Sequence, residues 1–449
     1  MSELPVVVIG AGPLGLAAAA HLLERGLEPV VLEAGHSAAS AVEQWAHVRT
    51  FSPWPELIDP AAARLLGPAG WTAPESGFPT GRQWIDAYLA PLAQALGDRV
   101  RYDTRVWAVT RRGRDRLVSP GRAEQPLVVN VTDPDGIHRR LQARAVIDAS
   151  GTWGQPNPAG AEGIPAIGEE LAATSGAVSY LPPTPGQASA LAGKHVVVIG
   201  SGHSAMTAVI QLAEVTRRDP STTVTWALRR GVAEDTFGGG SADELPERGA
   251  LGVRSKEAVD AGLINLVTGF RTERIDVIDG HAVVTAEDGR ALPPADQVVV
   301  LTGFRPDLSF LSEMRIALDP ILQAPIKLAP SIDPNMHSCG SVSPHGAAEL
   351  AHPEPDLYIV GMKSYGRAPT FLAMTGYEQV RSIAAELAGD HEAAQRVELT
   401  LPDTGVCNGA GLFDSPDTEN AGGGCCGPAP ASEASSPQPL SLSLHPLGG

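Results

Sequence analysis

Gly10, Gly12 and Gly15 form a GxGxxG spacing directly behind the apolar run Val6 to Ile9. In such a motif the first glycine permits a tight turn, the second lets a pyrophosphate approach the main chain, and the third brings helix onto strand. Pro13 lies inside the motif, and Glu33 ends the next apolar run, where a carboxylate can accept ribose hydroxyls. The pattern recurs at Gly200, Gly202 and Ala205, with His203 and Ser204 between them. Here the following run, Thr223 to Leu228, ends in Arg229 and Arg230 instead of an acid. A carboxylate would repel a 2′-phosphate, whereas guanidinium groups pair with it, so NADPH is expected over NADH. The competing reading of the two arginines is a solvated basic turn.

Two thiols form a second candidate centre. Cys425 and Cys426 are adjacent and flanked by glycines, a pairing that suits a soft centre such as trivalent arsenic or mercury. Cys407 or Cys339 is the candidate third thiol. The competing reading is an unstructured tail whose cysteines are incidental, with Cys339 a small buried residue. No His/Cys spacing matches a zinc site. The sequence holds no CxxC, so a redox pair of that kind is absent.

The elements that must position these residues repeat. Each glycine motif sits between a strand that reads as buried on both faces and a helix, followed by another strand. The expected class is therefore α/β, with two Rossmann-like dinucleotide-binding domains, the second inserted into the first. The expected divisions are 1–165 plus 300–395, 190–299, and a flexible Gly/Ser/Pro/Cys tail over 398–449. Gln297 to Gly303 reads as the strand returning the chain to the first domain. Gly151 and Gly303 end strands at the two crossings, and Gly361 ends a later strand. Trp45, Arg49 and Trp54 read equally as walls of a cofactor pocket or as core, and His203 as lining for nicotinamide-cofactor phosphates. His345 and His352 read as surface loop residues.

A formal charge of −18 disfavours nucleic acid and anionic membrane as partners. No apolar run approaches a membrane span, and the first residues read as a strand instead of a signal peptide, so a cytoplasmic location is expected.

The paired glycine motifs, the turns Asp148 to Gly151 and Leu301 to Asp307, and the segment Phe78 to Leu89 resemble the flavin-containing and N-hydroxylating monooxygenases. These belong to the wider two-dinucleotide-domain flavoproteins related to thioredoxin reductase. The resemblance covers residues 4–390. Trp45 to Trp54, the stretch Gly200 to Gly240 and the GCCG tail are similar to flavin-dependent monooxygenases of actinobacterial arsenic-resistance operons. The resemblance implies FAD held by Gly10, Gly12, Pro13, Gly15, Glu33, Gly151 and Gly361. It implies NADPH held by Gly200, Gly202, Ser204, Arg229 and Arg230. It departs from the pattern at Met362 and Lys363, which replace the usual acid after Gly361, and in lacking the family's histidine before the second glycine motif.

The leading expectation is an NADPH-dependent FAD monooxygenase using oxygen on a small-molecule substrate, with a trivalent arsenical the most specific candidate. The alternatives are a reductase passing electrons through Cys425 and Cys426 to a metalloid or partner protein, and a thiol-based metalloid carrier. A homodimer is the candidate assembly.

Overall fold

The computed structural model describes residues 4–231, 234–237, 246–334, 344–368 and 371–399. Strand β1 (Val6–Ile9) is buried throughout, as an apolar run without alternation must be when both faces of its sheet are covered. Helix α1 (Pro13–Glu24) starts on Gly12 with proline at its first position, where the missing N–H costs nothing. Its alanines are buried almost all round, so α1 is a core helix. Strands β2 (Pro29–Leu32) and β3 (Val100–Arg101) follow on one side of β1. Between them, Gly81–Trp84, Ile85–Leu89 and Ala90–Leu96 form one continuous helical rod, with a π turn in the middle. Pro91 cannot donate to the Ala87 carbonyl four residues earlier, and the Trp71 indole N–H takes that acceptor at 2.8 Å.

An antiparallel sheet of β4 (Arg105–Arg111), β5 (Leu127–Thr132) and β6 (His138–Ala143) leads to β7 (Ala145–Asp148), which pairs parallel with β1. The chain then leaves the first sheet. Strand β8 (Val178–Ser179) opens the second sheet, followed by β9 (His195–Ile199), α2 (His203–Arg218) and β10 (Thr223–Ala227). Helix α3 (Pro246–Asp260), β11 (Asn265–Val267), a hairpin of β12 (Thr272–Ile278) and β13 (His281–Ala286), and β14 (Gln297–Val300) complete this domain. Strand β15 (Leu357–Ile359) and helix α4 (Ala373–Leu387) belong to the first domain again.

The two sheets run β15-β7-β1-β2-β3 and β11-β10-β9-β14-β8, each parallel throughout. Two Rossmann-like α/β domains result, the second inserted in the first. Two expectations need correction. Gln297–Val300 does not belong to the first domain: it is an inner strand of the second sheet, paired to β9 and β8. The return is made by the turn behind it. The second sheet also begins earlier than residue 190, because β8 already pairs with β14. A two-residue edge strand is too short to carry a period in sequence.

The two crossings run side by side. Asn157 N–H donates to the Gly303 carbonyl at 2.9 Å, and Arg305 N–H to the Gln155 carbonyl at 3.0 Å. The Arg305 guanidinium grips Asn157 Oδ1 at 2.6 Å, and Trp153 stacks on Phe304 with ring centres 4.6 Å apart. Farther away, Glu354 is buried between Arg111 and Arg122, each at 2.8 Å. Burial alone would raise the Glu354 carboxyl, but hydrogen bonds from Arg122 and Arg111 hold it below the usual carboxylate range. This triad fastens the β4–β5 loop to the segment entering β15.

Candidate functional site

The site forms at the carboxyl ends of β1, β7 and β15, where neighbouring connections diverge and leave a crevice. Gly10 has φ +99°, and a Cβ there would lie 2.8 Å from the Ala149 carbonyl oxygen. A Cβ at Gly15 would lie 1.9 Å from the Gly10 oxygen. A Cβ at Gly12 would meet nothing within 4 Å. Two glycines are therefore required by the fold, while the third leaves open space over the N-terminus of α1. The opening faces backbone N–H groups and the positive helix end, an arrangement that favours an anion. Glu33 stands beside it, with Oε2 accepting from Ala11 N–H at 2.7 Å and Oε1 from Gly35 N–H at 2.8 Å.

One cavity of about 680 Å³ runs from this loop to the second domain. Gly10, Gly12, Pro13 and Glu33 line one end, Ser150, Gly151 and Gly361 the middle, and His203, Ser204, Thr207 and Arg248 the other end. The start of α4, at Leu372, Ala373 and Thr375, also faces it. Both glycine-loop helices thus present their N-termini to a single space, as two facing dinucleotides would require.

The model of the pyridine nucleotide-disulphide oxidoreductase family matches residues 7–327. The chain belongs to that family. No protein of curated function matches it. Among solved structures, the bacillithiol disulfide reductase of Bacillus cereus shares the fold at 23% identity, over 86% of this chain and 99% of that one, with a TM-score of 0.63. The cadaverine monooxygenase of the desferrioxamine pathway from Erwinia amylovora, solved with FAD, gives 15% identity, 90% and 99% coverage, and a TM-score of 0.57. The ornithine N-hydroxylase of Kutzneria sp. 744, solved with reduced FAD, NADP+ and L-ornithine, gives 18%, 88% and 100%, and 0.54.

In this pyridine nucleotide-disulphide oxidoreductase the second glycine loop repeats the geometry of the first. Gly200 has φ +131° with the Leu301 carbonyl 2.2 Å from an added Cβ, while Gly202, at the start of α2, is open. Trp226 Nε1 donates to the Gly200 carbonyl at 2.7 Å and fixes the loop. Arg229 and Arg230 follow β10 outside the cavity lining. Arg229 is exposed, with one guanidinium N–H on the Ala161 carbonyl at 3.2 Å, and Arg230 is half-buried. Cys339, Cys407, Cys425 and Cys426 lie outside the described residues.

The residues with two readings divide. Trp45 and Arg49 line the cavity, whereas Trp54 is buried in the first domain's core. The surface reading of His345 is overturned, while His352 is half-buried. His345 is 6% exposed and meets the Gln379 amide at 2.8 Å, while Gln379 Oε1 accepts from Gly361 N–H at 2.7 Å. That burial pushes His352 down to about 4, its Nδ1 accepts from Ala317 N–H, and its Nε2 has no partner among the described residues. Prolines nearby suggested exposure, but the packing of α4 decided otherwise for His345.

Four site features escaped sequence reading. Phe51 reaches from the first domain onto the second domain's core, edge-on to His203 with ring centres 4.8 Å apart. Arg248 reaches the cavity from α3, and Trp153 and Phe304 line its crossing side. Lys363 is fully buried, with Nζ 2.7 Å from Asp148 Oδ2. Phe51 and Phe304 lie in stretches that carry the family resemblance and Lys363 reads as a replaced acid, but the role of each depends on partners distant in sequence.

Proposed function

We propose that this chain is an NADPH-dependent FAD monooxygenase acting on a small soft or nucleophilic substrate. The observation that carries the reading is the single cavity shared by both glycine-loop helices. When bound, a flavin accepts hydride from a nicotinamide and passes the electrons to oxygen or another acceptor. The residues present fit such a group, since Gly12 leaves room for its pyrophosphate and Glu33 has oxygens for its ribose. Gly10, Pro13, Gly15, Gly151 and Gly361 shape that berth. Gly200, Gly202, Ser204 and Thr207 form the nicotinamide-cofactor counterpart, with Arg229 and Arg230 taking its 2′-phosphate and Arg248 a further phosphate.

The chain's own part is to hold, orient and dry the reacting groups. Trp45, Phe51, Trp153, Phe304 and Tyr365 give the cavity an aromatic wall that excludes water. Burial pushes the Tyr365 hydroxyl up, so it stays protonated as a donor. The N-terminal end of α4 places positive dipole charge at the cavity, favouring an anion beside it. Monooxygenation would insert one oxygen atom into the substrate and release the other as water, with two electrons from NADPH.

Charge supports a substrate class. Arg49 and Arg248 are the cations among the described lining residues, and Glu33 is the carboxylate, both of whose oxygens already accept backbone N–H groups. A neutral or anionic substrate suits this lining better than the amines named for the cadaverine and ornithine hydroxylases. An arsenical is the most specific candidate, supported by the resemblance of Trp45 to Trp54 and by the vicinal Cys425 and Cys426. That cysteine pair also supports the second reading, a reductase delivering electrons to a bound metalloid.

The deciding experiment follows NADPH and oxygen consumption by the FAD-loaded protein with a trivalent organoarsenical, using ¹⁸O₂. Label in the product supports the monooxygenase. Equal NADPH oxidation without oxygen, abolished by Cys425→Ser/Cys426→Ser, supports the reductase. A protein that takes up no FAD refutes both.

A further inference from the structure

Two walls of the cavity come from separate stretches of chain, Ala149 to Trp153 behind β7 and Val360 to Tyr365 behind β15. Behind both, away from the lining, lies an ion pair. Lys363 and Asp148 have side chains at 0% exposure, with Nζ and Oδ2 2.7 Å apart. Lys363 Nζ also donates to Ser150 Oγ at 3.0 Å. Asp148 Oδ1 accepts from Ser150 Oγ at 2.6 Å and from Ser150 N–H at 3.1 Å. The three side chains close a triangle. Lys363 Nζ further sits 4.4 Å from the ring centre of Phe310, which follows the returning crossing.

Taking a lysine and an aspartate out of water is expensive, and an apolar pair of similar volume would be at least as stable. What an apolar pair cannot supply is direction. The triangle fixes the Ser150 hydroxyl and backbone, and with them the turn Ala149–Gly151 that faces Gly10 and the cavity. Asp148 is itself registered between Ile9 and Ile359, so the lock is referenced to the strands that carry both walls.

We propose that Lys363, through Asp148 and Ser150, is a positioning residue for the FAD ring system: it ties the two cavity walls at the spacing the cofactor needs. The inference rests on the FAD reading above. Lys363 does not touch the cofactor; it acts through the Ser150 turn.

The test uses the full chain, stripped of flavin and titrated with FAD, with the melting temperature and the visible spectrum of bound FAD read alongside. Lys363→Met leaves Asp148 buried without a counter-charge, so it is expected to lower both stability and FAD affinity. The double variant Asp148→Leu/Lys363→Met removes the charges together and is expected to recover the wild-type melting temperature. Its FAD affinity should remain at least tenfold below wild type, with a displaced absorption maximum, because Ser150 has lost both partners. A double variant that binds FAD as tightly as wild type, with an unchanged spectrum, overturns the proposal alone. A wild-type protein that binds no FAD overturns it together with the cofactor reading.

Discussion

Gly12→Ala and Gly15→Ala add the same methyl group to the same motif, three residues apart, and should fail in opposite ways. At position 15 the new Cβ lies 1.9 Å from the Gly10 carbonyl oxygen, so strand and helix must separate by about 1 Å. Helix α1 is buried on nearly all sides and cannot yield cheaply. The cost is about 3 kcal/mol or more, a fall of about 3 °C or more in melting temperature for a chain of this size. At position 12 the Cβ meets nothing within 4 Å and φ is −77°, an ordinary value for any residue. Replacing this N-cap glycine by alanine costs about 1 kcal/mol or less. The methyl group does, however, occupy the approach to the helix N-terminus. Losing two charge-assisted hydrogen bonds there, at about 1.5 kcal/mol each or more, weakens FAD by about 100-fold. Melting curves of the flavin-free variants measure the first effect, and FAD titration by fluorescence quenching the second. A Gly12→Ala protein that binds FAD like wild type would refute the placement of the pyrophosphate. A Gly15→Ala protein of unchanged stability would refute the packing argument drawn from the clash.

Replacing Arg229 and Arg230 by alanine should raise the KM for NADPH at least tenfold and leave that for NADH within about twofold, measured by steady-state kinetics; an unchanged preference refutes the phosphate assignment. His352 is held half-buried as the neutral ring, with its folded value lowered to about 4, so the folded chain binds fewer protons than the unfolded chain between that value and 6.5. Stability is therefore lost as pH falls through this window, by about 3 kcal/mol at its lower end. His352→Asn should flatten that part of the stability profile in denaturant melts at stepped pH. Glu354→Gln removes the charge held between Arg111 and Arg122 and should destabilise the chain by about 3 kcal/mol, read by the same melts, with FAD affinity unchanged.

The legible parts of this molecule were those in which one short stretch carries a whole element and the turn that follows it. Val6 to Gly15 declares a buried strand, a tight glycine turn and the start of a core helix within ten positions, and Val196 to Ala205 repeats it. What stayed hidden depends on distant partners. Lys363 reads as a lost acid until it is seen against Asp148, more than two hundred residues earlier in the chain. Phe51 reads as irregular loop until it rests on the second domain's core. His345 sits among glycines and prolines that suggest exposure, yet Gln379 and Tyr365 enclose it. Arg248 carries no motif, and its place at the cavity follows from the packing of α3 on α2. Strand β8 owes its existence to the edge offered by β14.

The paired crossings also bear on how such a molecule could arise. Asn157 and Gly303 are hydrogen-bonded neighbours, so everything between them leaves the first sheet and comes back at nearly the same point. In genetic terms that excursion is a cassette: a gene segment can be spliced in or exchanged there without lengthening the path of the surrounding chain. The parent sheet keeps its strand order whether or not the cassette is present, since among the described residues no strand within it joins that sheet. A host fold of this kind can exchange one inserted Rossmann-like domain for another without rebuilding its own sheet.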